Sequence, residues 1–244
     1  ADTSSANLIP ELKNKKFFSF SDAHSPNSYR IGREFVCMEL EKPNYESLKN
    51  LLCDIGENQI VYNVGYNPKE GKYNKTACRD CWKIYSLDEA IKLGWRCSSC
   101  KGILKKGVED RIKEIAKKQG NSQLKQITNR PEYKYLMPLY ELIQLEIGKK
   151  DSYNKTAQEK YEKIISRYTE IEIMLEVQEE KLREIDNGLA DYIMAFRKGL
   201  VTFRPGGAGH YGTPFICQSE EEKRQKEEEI SKEQDIKYIQ KTLF

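Results

Sequence analysis

Apolar residues fall in short clusters separated by long charged stretches, and the spacing inside each cluster predicts an element. Phe17-Phe18-Ser19-Phe20 is a short aromatic run that reads as a buried strand ending at Ser21-Asp22-Ala23-His24. Phe35 to Leu40 and Ile60 to Val64 read as further strands. Between them, Asn44 is placed to N-cap a helix over Tyr45–Ile55, with Leu48, Leu51 and Leu52 on one face and Gly56 as its stop. Ser86-Leu87-Asp88-Glu89 is a capping box that opens a short helix ending at Gly94. Helices are predicted over Val108–Lys118 and Pro138–Ile147, closed by Gly120 and Gly148. Helical spacing returns at Tyr161, Ile164, Ile165 and Tyr168, and again at Leu189, Ile193 and Phe196 before Gly199. Ile171, Ile173, Leu175 and Val177 alternate, which predicts a short strand. Leu200 to Phe203 predicts another, running into the glycine-rich segment Pro205–Gly212. From Ser219 onward Glu and Lys dominate, as in a solvated helix or a disordered tail.

The chain has 244 residues, enough for one or two domains. At 32% charged and 38% hydrophobic it is polar, yet 15 Tyr, 8 Phe and 2 Trp supply bulk for a core. The net charge of +3 makes the overall field weak, so a nucleic-acid partner would need a local basic patch. No apolar run approaches the ~20 residues that span a bilayer and no signal peptide is visible, so a soluble, cytoplasmic protein without a membrane partner is expected. The chain starts at Ala1 without Met, which reads as processing or a fragment boundary.

Four of the seven cysteines change the picture. Cys78 and Cys81 form one C-x-x-C pair, Cys97 and Cys100 a second, with fifteen residues between. That is zinc-ribbon spacing. Each pair can sit on a tight knuckle and give two corners of a tetrahedron, and a closed four-thiolate shell leaves no position for water. A structural zinc is therefore expected, supplying folding energy to a segment with few apolar residues. Arg79, Lys83, Arg96, Lys101, Lys105 and Lys106 surround the pairs, with Trp82, Tyr85 and Trp95 among them. Such a mixture suits either binding of a phosphate backbone with base stacking, or solubility and local packing.

Asp22 and His24, two residues apart at a predicted strand end, can share a face and bind one metal. Arg30 and Arg33 can clamp a phosphate, and Glu34 can orient one of them or assist a ligand. Ser21-Asp22-Ala23-His24-Ser25 followed by Arg30-Ile31-Gly32-Arg33-Glu34 resembles the last metal-binding motif of the polymerase-and-histidinol-phosphatase (PHP) phosphoesterases. It resembles more narrowly the branch with an inserted zinc ribbon, typified by endonuclease Q. Gly71-Lys72-Tyr73, Gly107-Val108 with Arg111, and the loop from Pro205-Gly206 to Tyr211-Gly212 agree with that branch.

The resemblance implies an α/β chain, part of a PHP-type distorted α/β barrel, with an inserted zinc ribbon and a mainly helical C-terminal part. It divides the chain into barrel residues 1–64, the ribbon 65–106, a helical or mixed domain 107–218 and a charged tail 219–244. It also implies a metal-dependent DNA endonuclease of repair that nicks on the 5′ side of deaminated bases or abasic sites. Asp22 and His24 would be ligands of catalytic divalent metals (Zn, Mn or Mg), with Arg30, Arg33 and Glu34 completing the catalytic set. Arg30, Arg33, Lys72, Tyr73, Gly206, Gly207, Gly209 and Tyr211 would contact DNA, with the glycine loop's N–H groups near a phosphate or a flipped base. The chain has two His and no H-x-H, so the resemblance implies a missing N-terminal barrel half supplied in cis or in trans. The alternatives are a non-catalytic zinc-ribbon module that binds DNA or a partner protein, and a phosphatase of a small phosphate ester.

Overall fold

A computed structural model describes residues 2–26, 31–120, 130–149 and 154–239, the side chains only as far as residue 232. The fold is mixed α/β and separates into two compact units, Ala1–Pro68 with Val108–Leu136, and Lys69–Gly107 with Met137–Phe244. Among the described residues no helix is long and apolar enough to cross a membrane.

The first unit is built on a three-stranded sheet. Gln59–Gly65 is its centre, antiparallel to Phe35–Glu39 and parallel to Glu132–Tyr135. The antiparallel pair carries a bulge between Cys37 and Met38. Val64 and Asn63 are fully buried, because the C-terminal end of the central strand lies inside the unit. Asn44 caps the helix Tyr45–Leu52 as its residue type requires, accepting from the Ser47 N–H at 2.9 Å. That helix ends earlier than Ile55, and of its apolar face Leu51 is buried while Leu52 is 54% exposed. Val108–Lys118 forms the helix predicted for it, burying Ile112 and Ala116.

The aromatic run Phe17–Phe20 is not a strand. Its Ser19 N–H donates to the buried side chain of Asn63 at 3.0 Å rather than to a neighbouring backbone. Arg130 lies over the Phe17 ring and donates to the carbonyl oxygens of Leu12 and Lys15, which pins the segment from the other side. Phe18 and Phe20 stack on each other, and Phe20 is 72% exposed.

In the second unit, the helices Leu139–Glu146, Lys155–Ile165, Glu179–Ile185 and Asn187–Arg197 bury Leu142, Ile143, Ile164, Leu182, Leu189 and Ile193 around one core. Val201–Arg204 and Thr213–Ile216 form an antiparallel hairpin. The charged tail is the helix Glu220–Ile239, seated on that hairpin through Ile230 and through Lys226 over the Phe215 ring.

The alternating stretch Ile171–Val177 is a helix, Glu170–Leu175, and not the predicted strand. Local chemistry outweighs the alternation at both ends. Thr169 and Glu172 make a reciprocal capping box, which satisfies N–H groups that a strand would leave for a neighbour. At the C-terminal end, the Arg197 guanidinium donates to the carbonyl oxygens of Ile173 (2.6 Å), Met174 (3.1 Å) and Val177 (2.7 Å). These are carbonyls that a helix end exposes, and a cation there also opposes the helix dipole. Arg197→Ala is expected to lower stability in chemical denaturation by about 2–3 kcal/mol, and Arg197→Lys to recover only part of the loss, since an ammonium lacks the planar fork.

Candidate metal centre and the surface beside it

The two cysteine pairs fold into matching knuckles. In each, the N–H of the residue after the second cysteine closes the turn on the first cysteine's carbonyl: Trp82 to Cys78 and Lys101 to Cys97, both at 3.0 Å. Both closing residues have left-handed backbones, with φ of 60° and 62°. Glycine is the residue that adopts this conformation freely, so an indole there is held at a cost of roughly 1–2 kcal/mol. The strands Ala77–Cys78 and Leu104–Lys105 pair antiparallel and bring the knuckles face to face.

The four Sγ atoms lie within 4.8 Å of one another and are the only group of three or more metal donors among the described residues. Cys78 to Cys100 is 3.4 Å and Cys81 to Cys97 is 3.5 Å, far too long for disulfides. A tetrahedral zinc with Zn–S of ~2.3 Å would set these edges near ~3.8 Å, so donor type, number and spacing fit the metal. The knuckles supply hydrogen bonds to sulfur as well, from Asp80 N–H to Cys78 and from Cys100 N–H to Cys97.

Tyr85 is the residue that the sequence left ambiguous. It is buried, and its hydroxyl accepts from the Ser98 N–H at 3.2 Å and lies 3.0 Å from Ser98 Oγ and 3.1 Å from Cys97 Sγ, to which it donates when Cys97 is a thiolate. Burial alone would raise the Cys97 thiol. The Tyr85 hydroxyl and the N–H groups of Cys100 and Ser99 outweigh it and bring Cys97 down to about 6. Burial pushes Cys81 up to about 12. Tyr85 therefore packs under the cysteine cluster and is no stacking surface, whereas Trp95 is half-buried beneath Lys106 and Trp82 is 54% exposed.

The glycine-rich loop docks on the chain leading into the first knuckle. Gly206 N–H donates to Lys69 carbonyl, Lys75 N–H to Gly206, Gly209 N–H to Lys72 and Gly212 N–H to Glu70, at 2.8–2.9 Å. A Cβ on Gly206 would meet the Gly71 carbonyl at 2.5 Å, and one on Gly207 would meet Ala77 at 2.9 Å. This contact brings together residues that are far apart in sequence. Lys72 Nζ lies 5.4 Å from the Tyr73 ring and 5.6 Å from the Tyr211 ring, both of them exposed. His210 reaches across to Trp82, with ring centroids 3.9 Å apart. The pairing of Trp82 with His210 has no sequence signal, since it depends on where the loop lands.

The remaining site residues are in the first unit. Asp22 and His24 do come side by side, but on an irregular segment, with the His24 Nδ1 2.7 Å from the Asp22 carbonyl and 3.9 Å from its carboxylate. Both side chains are more than four-fifths exposed, and no third donor joins them among the described residues. By themselves they do not make a catalytic metal cluster. Arg33 and Glu34 converge on Tyr66, the guanidinium 5.3 Å from its ring and the carboxylate accepting its N–H at 3.0 Å. Arg30 lies outside the described residues.

Cys100→Ser is expected to abolish binding of one zinc per chain, measured by colorimetric release. Tyr85→Phe is expected to keep the metal but weaken it about 10- to 100-fold against a competing chelator, because one hydrogen bond to Cys97 is lost. Zinc should also leave as pH falls, since each thiolate that protonates is a lost ligand.

Residues 138–200 match the family described as the MJ0043 C-terminal domain. The chain is 39% identical over 218 residues to the uncharacterized protein MJ0043 of Methanocaldococcus jannaschii, covering 87% of this chain and 27% of that protein. It is 30% identical over 213 residues to the uncharacterized protein YqxK of Bacillus subtilis, covering 86% of this chain and 49% of that one. The chain thus spans between a quarter and a half of the curated relatives it matches. Among solved structures, the lesion-specific endonuclease PfuEndoQ of Pyrococcus furiosus superposes with a TM-score of 0.80 at 34% identity, over 89% of this chain and 53% of that one. Endonuclease Q in complex with a 27-mer duplex substrate bearing an abasic lesion at its active site superposes with a TM-score of 0.79 at 34% identity, over 89% of this chain and 54% of that one. Across 89% of its length, the chain resembles endonuclease Q in both sequence and fold.

Proposed function

We propose that this chain is the lesion-binding and phosphate-holding part of a metal-dependent DNA repair endonuclease that nicks 5′ of deaminated bases or abasic sites. The likeness to endonuclease Q, seen also with an abasic-site duplex, carries this reading. The surface beside the cysteine cluster supports it. Lys72 would meet the phosphate backbone, while the rings of Tyr73 and Tyr211 would stack on bases. The N–H groups of Gly206, Gly207 and Gly209 donate to the carbonyls of Lys69, His210 and Lys72, so they are not free for a phosphate or a flipped base as the resemblance implied. The loop's part would be to carry Tyr211 beside Lys72. The cysteine cluster would hold zinc in a closed shell, so its role is to fix this surface rather than to react.

For the chemistry, Arg33 and Glu34 at Tyr66, with Arg30, would hold the scissile phosphate. Asp22 and His24 would give two donors to a divalent-metal cluster, whose chemistry would be to activate water and to stabilise negative charge on the leaving oxygen. The other donors would come from a barrel segment in cis or in trans.

Fluorescence anisotropy with duplexes that carry or lack one abasic site is the test. Tighter binding of the lesion duplex is expected, with Tyr211→Ala weakening it about fivefold or more and added salt weakening both duplexes. Equal affinity for the two duplexes would overturn the reading. The exposed two-donor pair favours one further reading, a DNA-binding module without catalysis. There, Asp22→Ala would leave both binding and every nicking assay of the completed assembly unchanged.

A further inference from the structure

Trp82 has three features that packing alone does not require. It sits where the knuckle favours glycine, at φ 60°, a conformation that Lys101 shares in the second knuckle at 62° but with a flexible side chain in place of a rigid ring. More than half of its surface is exposed. And its backbone is locked by the N–H to the Cys78 carbonyl, one residue from a metal ligand, so the indole projects from the most rigid point of the ribbon. An exposed indole held rigidly in this way loses little conformational entropy when a flat partner stacks on it.

His210 gives it a partner. The imidazole lies 3.9 Å from the indole at a 46° tilt, on a loop whose four backbone hydrogen bonds tie it to residues 69–75. The next residue, Tyr211, is 73% exposed and shares Lys72 with Tyr73. The order by contact is therefore Trp82, His210, Tyr211, Lys72, Tyr73: two aromatic groups joined through the consecutive residues His210 and Tyr211, with a cation between the tyrosines. Flat aromatic faces at successive positions beside a cation match an unstacked nucleic-acid strand, whose bases offer π-faces and whose backbone is anionic. A peptide partner would call for pockets or a free strand edge, and a small phosphate ester would have no use for the second aromatic position.

We propose that Trp82 and His210 form a second base-stacking position, which takes an unpaired nucleotide of single-stranded nucleic acid next to the one at Tyr73 and Tyr211. This rests on the reading of the chain as a DNA-binding protein but does not need a lesion. The ribbon's metal then sets the spacing between the two positions, since it fixes Trp82 while the loop fixes Tyr211.

The chain has two tryptophans, and the other, Trp95, is half-buried under Lys106, so the part of the indole emission that belongs to Trp82 is read as the difference between the wild-type chain and Trp82→Gly. Titration of the zinc-loaded protein with oligothymidylate is expected to quench that emission. Trp82→Gly relaxes the left-handed backbone and removes only the ring, so it should keep one zinc per chain. It is expected to abolish the quench and weaken oligothymidylate about tenfold or more by anisotropy. Trp82→Phe should restore part of the affinity, and Trp82→Leu none. Unchanged oligothymidylate affinity in zinc-loaded Trp82→Gly would overturn the proposal. The abasic duplex, titrated in parallel, separates the two readings. Quenching by the single strand without preference for the lesion duplex sinks the endonuclease reading and leaves this one. Lesion preference without any effect of Trp82→Gly does the reverse.

Discussion

Four sulfur atoms gathered within 4.8 Å are the constraint on which the second unit's functional surface depends. The apolar core of the ribbon is small, with Cys78, Tyr85, Ala90, Cys97 and Leu104 buried and Cys81 and Trp95 packed against them. Burial on that scale does not offset the conformational entropy of ordering some forty residues of loop. A metal ion held by the four thiolates would, because its binding free energy becomes folding free energy. Every element nearby takes its position from the knuckles, including the strand pair, the left-handed Trp82 and the segment on which the glycine loop rests.

The glycine loop shows how a metal-centred fold extends its order outward. The loop has little apolar surface of its own, and what holds it is backbone hydrogen bonding to residues 69–75, with an approach at Gly206, Gly207 and Gly212 that leaves no room for a Cβ. Side chains then follow the backbone. Lys72, Tyr73, Tyr211, Trp82 and His210 come from two stretches of chain more than a hundred residues apart, and the docking makes them one surface. The helical core behind it is held by different physics. Lys160 bridges Glu146 and Asp186 at 2.7 and 2.9 Å with all three side chains largely buried, and Arg197 closes a helix end from a neighbouring helix. Such pairs specify how helices dock, because a half-buried charge tolerates only the arrangement that satisfies it.

Much of this was legible in the residues themselves. Cysteine spacing announced the metal site, since two knuckles at ribbon distance leave few other uses for four thiols. Local end signals were equally legible. Asn44, Ser86 and Glu89 and the glycines at 94, 120, 148 and 199 bound their helices where the sequence placed them, because a cap acts within one turn and needs no distant partner. The motif around Asp22, with the glycine loop and Lys72-Tyr73, carried the likeness to endonuclease Q that the solved structures bear out.

Other features were decided only in three dimensions. The alternation of Ile171 to Val177 is a strand pattern, yet Arg197, some twenty residues on, supplies the carbonyl partners that make it a helix. Phe17 to Phe20 has the composition of a strand, but Asn63 and Arg130 take up the neighbouring backbone groups. Tyr85 became a ligand's hydrogen-bond donor rather than a stacking ring, and Trp82 found His210, because both outcomes depend on which surfaces meet after the ribbon closes. Sequence alone determined the local elements and the metal chemistry, whose interactions span a few residues. The partners of exposed aromatics and of long cationic side chains were set by tertiary contact, since those side chains reach whichever backbone the fold brings within range.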